Sequence, residues 1–136
     1  MDTHGVLAPE SEADARERFE AVGPAAQTVV KETAKAMAFD ADEYDERVTG
    51  EVVETARDAL FASLLEVHTG TREEYDEWLA DRDREVVEHG NENVSRVAWH
   101  DAFGETVVAA TYENEERAAI GTLRRQAYGR AYRDLF

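Results

Sequence analysis

The sequence predicts an α+β fold, with four to five helices packed on one face of a three-stranded antiparallel β-meander. Two observations predict it. Up to Leu79 the apolar residues recur three and four apart, and Ser, Thr, Asp or Pro stands near the start of each run. From Glu85 to Tyr112 the pattern becomes that of strands, with Val, Thr and aromatic residues in short runs between glycine turns. The 136 residues suffice for one hydrophobic core and are few for two. Residues 11–136 are therefore expected to form a single domain behind a flexible N-terminus, residues 1–10.

Each element has its own local reason. Ser11 followed by Asp14 has capping-box character, and Ala15, Phe19 and Val22 then share one side of a short helix ending near Gly23. Pro24 suits the first position of the next helix. There Ala25, Ala26, Val29, Val30, Thr33, Ala36 and Met37 make one stripe, leaving Gln27, Lys31 and Lys35 outward. A third helical region begins near Asp40, breaks near Thr49-Gly50 and runs to Val67. Its second half is expected at the centre of the fold, because Val52, Ala56, Ala59, Leu60, Ser63 and Val67 share a face while Phe61 and Leu65 make the last turns apolar all round. His68-Thr69-Gly70 reads as a turn, and Thr71 with Glu74 starts a shorter helix through Tyr75, Trp78 and Leu79.

The three expected strands are Glu85–His89, residues 94–100 and Thr106–Tyr112, separated by Gly90-Asn91 and Phe103-Gly104. Asn114 is placed to cap a closing helix. Its first turn carries Glu115 and Glu116, and its later turns carry Arg124, Arg125, Arg130 and Arg133, a polarity that suits the helix dipole.

Composition narrows the function classes. There are 31 Asp plus Glu against 15 Lys plus Arg, a formal net charge of −16. Self-repulsion at that level is destabilising in dilute buffer and is screened in molar salt, where the Debye length falls to about 3 Å. Lysine occurs only at Lys31 and Lys35, and Ile120 is the only isoleucine, a bias that resembles a halophilic archaeal proteome. The acidity argues against nucleic-acid binding, which draws its affinity from basic residues. No cysteine is present, so neither disulfides nor thiolate chemistry is available. Residues 1–10 lack the basic start and apolar run of a secretory signal, and residues 59–67, the longest mainly apolar stretch, are too few to cross a bilayer. A soluble cytoplasmic protein is expected, with no membrane and no nucleic acid as partner.

Motifs for chemistry are sparse. Asp40, Asp42 and Glu51 fall at positions one, three and twelve of a calcium-loop register, but the glycine needed at position six is Asp45, and the segment reads as a helix start. His4, His68, His89 and His100 have no helical i, i+4 pair and no alternating pair on a strand, so no metal site and no cofactor is expected. Strand alternation puts His100 on the face of Ala98 and opposite Trp99, as a partly exposed histidine beside Asp101. In the closing helix Ile120, Leu123, Ala127, Ala131 and Leu135 share one arc, and Arg117 and Arg124 fall inside it. A guanidinium among apolar residues needs a partner, and Glu54 or Asp58 of the central helix is the expected one.

Three segments resemble a family: Gly23-Pro-Ala-Ala-Gln-Thr-Val-Val, the run from Glu43-Tyr-Asp-Glu-Arg-Val-Thr-Gly to Phe61-Ala-Ser-Leu-Leu, and the closing Leu123-Arg-Arg-Gln-Ala-Tyr-Gly-Arg-Ala-Tyr-Arg-Asp. Together they are similar to a family of uncharacterised halophilic archaeal proteins, a domain of unknown function. The resemblance covers most of the chain and implies no activity and no site residue. The expected function is a non-enzymatic cytoplasmic interaction or accessory protein, with a protein partner or a second copy. The alternative is small-ligand (anion) binding or a hydrolytic site using Arg124 with Trp99 and His100.

Overall fold

A computed structural model describes residues 1–136. The chain forms β1 (Asp2–His4), α1 (Glu12–Ala21), α2 (Gly23–Ala36), α3 (Ala41–Arg47), α4 (Gly50–Leu64), β2 (Val67–Thr71), α5 (Arg72–Ala80), β3 (Glu85–His89), β4 (Arg96–Ala102), β5 (Thr106–Tyr112) and α6 (Glu116–Ala127). A π turn, Tyr128–Tyr132, and a short 3₁₀ turn, Arg133–Leu135, follow α6. No helix is long and apolar enough to cross a membrane.

The caps sit where short polar side chains can satisfy the free amides of a first turn. Ser11 accepts from Asp14, Asp40 from Glu43, Thr49 from Val52 and Thr71 from Glu74, and Glu74 completes a capping box on Thr71. Asp40, the first position of the calcium-loop register, is thus the N-cap of α3. Glu115, not Asn114, stands at the N-cap of α6 and makes no side-chain cap bond.

The class is α+β, but the expected three-stranded antiparallel meander is replaced by a mixed five-stranded sheet in the order β1-β2-β4-β5-β3. Three pairings are antiparallel and β3 runs parallel to β5. Burial explains the order. Val97, Ala98, Trp99 and His100 of β4 are all 1 % exposed or less, so β4 needs a strand on both edges and cover on both faces. β3 has exposed Glu85, Val86 and Glu88 and suits an edge, where charge discourages further pairing. The chain therefore passes from β3 at the margin into β4 at the centre. Gly90 begins that passage at φ 109°, where a Cβ would collide with the Thr111 hydroxyl.

The segment read as a turn, His68-Thr69-Gly70, is the middle of β2. Residues 1–10, read as a loose terminus, contribute the edge strand β1, paired from Asp2↔Thr69 to His4↔Val67.

Helices cover both faces of the sheet, not one. On one side α1, α4, α6 and the C-terminal turns enclose the larger core, where Phe61 meets Phe19, Tyr128, Tyr132 and Phe136 at ring-centroid distances of 5.2–5.9 Å. On the other, α5 lays Tyr75, Trp78 and Leu79 over Val97, Trp99, Val107 and Ala109. α2 stands outside this sandwich and packs on α4, burying only Ala26, Val30 and Ala34. The rest of its predicted stripe, Ala25, Val29, Thr33, Ala36 and Met37, is exposed. α4 is turned likewise: Phe61 and Ala62 are buried while Val52, Ala59 and Ser63 are exposed.

Candidate functional site

Alternation along β4 places His100 on the Ala98 face, as the sequence predicts, but 1 % exposed and not partly open. Its Nδ1 donates to the Glu66 carbonyl at 2.6 Å, and a carbonyl can only accept, so Nδ1 carries the proton. Its Nε2 then accepts from the Tyr132 hydroxyl, also at 2.6 Å. Burial pushes the imidazole below its ordinary value and the phenol above its own, so both rings stay neutral. The pair ties the sheet to the π turn. Asp101, one residue on, points to the opposite face and takes both Nε and a terminal nitrogen of Arg84, at 2.9 and 3.2 Å.

A cleft of 560 Å³ lies beside this pair, lined by Glu66, His68, Trp78, Arg82, Arg84 and Asp101 among others. Several of its polar side chains are engaged within the cleft. His68 lies 3.3 Å from Glu66, Arg84 holds Asp101, and Arg82 stacks 4.1 Å over Trp78. No three His, Asp or Glu side chains anywhere in the chain converge as a metal site would require.

The three candidate residues do not meet. Trp99 is packed beneath α5, its ring centre 5.0 Å from that of Tyr75. His100 is on the other face of the same strand. Arg124, on α6, donates from Nε to the Leu65 carbonyl at 2.9 Å and makes no ion pair with Glu54 or Asp58. Gly5, at φ 91°, makes room for it, since a Cβ there would stand 2.7 Å from the guanidinium. Asp58 accepts instead from the Tyr128 hydroxyl at 2.7 Å. Arg124, Arg125, Arg133, Asp58 and Tyr128 line a groove of 490 Å³ between α4 and α6.

A second groove, of 570 Å³, lies on the other side of α4. Nine of its twelve lining residues are hydrophobic, and three of them are large and open to solvent: Val29 at 46 %, Met37 at 60 % and Val52 at 42 %. Arg47 is the only charged residue of the lining, its guanidinium 5.5 Å from the centre of the Phe39 ring.

A model of the family of unknown function DUF5809 matches residues 6–133, nearly the whole of this architecture. The chain belongs to DUF5809. The match takes in both grooves and the His100–Tyr132 pair. No curated protein and no solved structure matches the chain.

Tyr128 and Tyr132 carry no motif that sequence reasoning singles out. The available signal is two tyrosines four apart around Gly129, which the π turn places on one side so that each hydroxyl reaches a polar partner.

Proposed function

We propose that this DUF5809 protein is a non-enzymatic interaction protein, and that two copies associate through the apolar face of α2 and α4. The observation that carries the reading is an exposed apolar face without carboxylates on a chain of net charge −16. Two such chains repel wherever their acidic surfaces meet. At 100° per residue, Val29, Thr33 and Met37 share one side of α2, all exposed and none charged. Val52, Ala56 and Ala59 of α4 continue that face across the groove. A second copy can approach there without stacking carboxylates, and an isologous contact uses the same patch twice. The separation of Arg124, Trp99 and His100 leaves the hydrolytic alternative without a shared pocket.

The same acidity and the scarcity of lysine support a salt-rich cytoplasm as the working solvent and a halophilic archaeon as the source.

Sedimentation equilibrium in molar KCl tests the association. Dimers are expected for the natural sequence, and monomers for Val29→Asp and Met37→Asp, each with an unchanged circular dichroism spectrum. A natural chain that stays monomeric across the accessible concentrations, or a Val29→Asp chain that still dimerises, contradicts the reading.

A further inference from the structure

Several arginines of this protein hold a carboxylate. Arg57 reaches Glu54, Arg72 holds Glu88, and Arg84 holds Asp101. Arg124, Arg125 and Arg133 are among several arginines without an ion pair, and what sets them apart is that all three converge on one groove. In a chain with 31 acidic side chains, three guanidiniums beside a single carboxylate make a local positive site that attracts an anion.

The groove's remaining chemistry narrows the anion. Asp58 is its one carboxylate, and the neighbouring Glu54 is engaged by Arg57 at 3.6 Å. Three guanidiniums against one carboxylate leave two positive charges, which match the dianion of a phosphate monoester. Asp58 accepts from the Tyr128 hydroxyl through Oδ1 and has Oδ2 left for a ligand donor. Ala59 and Ala62 line the groove between these polar groups. Its 490 Å³ is within the roughly 300–1,000 Å³ of small-molecule sites, well beyond what inorganic phosphate would fill.

We propose that the groove between α4 and α6 binds a small organic phosphate, with Arg125 and Arg133 on the phosphate, Arg124 closing the site from the Leu65 side, and Asp58 accepting from a hydroxyl of the organic part. The site shares only Thr55 and Ala59 with the α2–α4 groove and none of the side chains proposed to hold the phosphate, so either reading can fail without the other.

Titration calorimetry at one fixed KCl concentration tests it, with ribose 5-phosphate, glucose 6-phosphate and adenosine 5′-monophosphate as probes beside inorganic phosphate and free ribose. At least one ester should bind saturably and more tightly than inorganic phosphate, and ribose should not bind. Arg125→Gln combined with Arg133→Gln changes two exposed side chains and should leave the melting curve in place while weakening the ester roughly a hundredfold, about tenfold for each guanidinium–phosphate hydrogen bond removed. Asp58→Asn should weaken the ester and strengthen inorganic phosphate, because it removes the groove's negative charge. Absence of binding by all three esters overturns the proposal, as does binding that the double variant leaves intact. Inorganic phosphate bound as tightly as every ester overturns the organic part.

Discussion

The two grooves share a wall. Thr55 and Ala59 of α4 line both of them, yet one groove is apolar and the other carries three arginines. The difference comes from the outer helix. α2 presents Val29, Thr33 and Met37, and α6 with the turns after it presents Arg124, Arg125 and Arg133. A helix that buries one edge leaves its two flanks to be defined by whatever packs beside them, so a single central helix serves two surfaces of opposite chemistry.

The harshest way to break this comparison is to loosen the shared wall. Phe61 is fully buried among four other aromatic rings. Phe61→Ala should cost about 3–5 kcal/mol in chemical denaturation and disturb both grooves together. Tyr132→Phe should cost less, about 1–3 kcal/mol, by leaving Nε2 of His100 buried without a donor. Its effect should be local to the arginine groove, whose Tyr128 stands on the same π turn.

His100 adds a pH dependence with a definite sign. Its folded-state value is lowered from 6.5, chiefly by burial, so the unfolded chain binds the proton more readily. Stability should be full above pH 6.5 and decline as the pH falls from there through the lowered folded value. A stability profile flat between neutrality and mild acid, in a His100→Gln comparison, would remove the imidazole from the account.

Salt should separate the grooves by direction. Raising KCl shortens the Debye length and should weaken anion binding at the arginines, while association through the apolar face should persist or strengthen as repulsion between the acidic copies is screened. The smallest effects belong to the rims. Val29→Ala and Arg133→Ala, both at exposed positions, should each shift the free energy of unfolding by about 0.5 kcal/mol or less, and thermal melts at fixed salt would show it.

The local features are legible in the sequence because their causes are local. Ser11, Asp40, Thr49 and Thr71 cap helices from within three residues, and the face of His100 follows from alternation along its own strand. What cannot be read there depends on distant partners. β2 looks like a turn until β1 and β4 pair with it, and the exclusion of β3 to the edge depends on β2 taking the other side of β4. The stripe of α2 is visible, but not that only Ala26 and Val30 of it are buried. His100 looks half-exposed because Tyr132, which buries it, belongs to a turn at the far end of the chain. Arg124 does need a partner, as its place in the helix implies, and that partner is a carbonyl, which no side-chain pattern advertises.

The chain has no cysteine, which makes the central claim directly testable by placing one. Val29 on the apolar face and Val86 on the edge strand are similarly exposed, at 46 % and 43 %. A short bis-maleimide added to dilute Val29→Cys in molar KCl should give a covalent dimer in high yield, and Val86→Cys under the same conditions should give little. Equal cross-linking at the two positions, or none at position 29, would contradict an association through the face of α2 and α4.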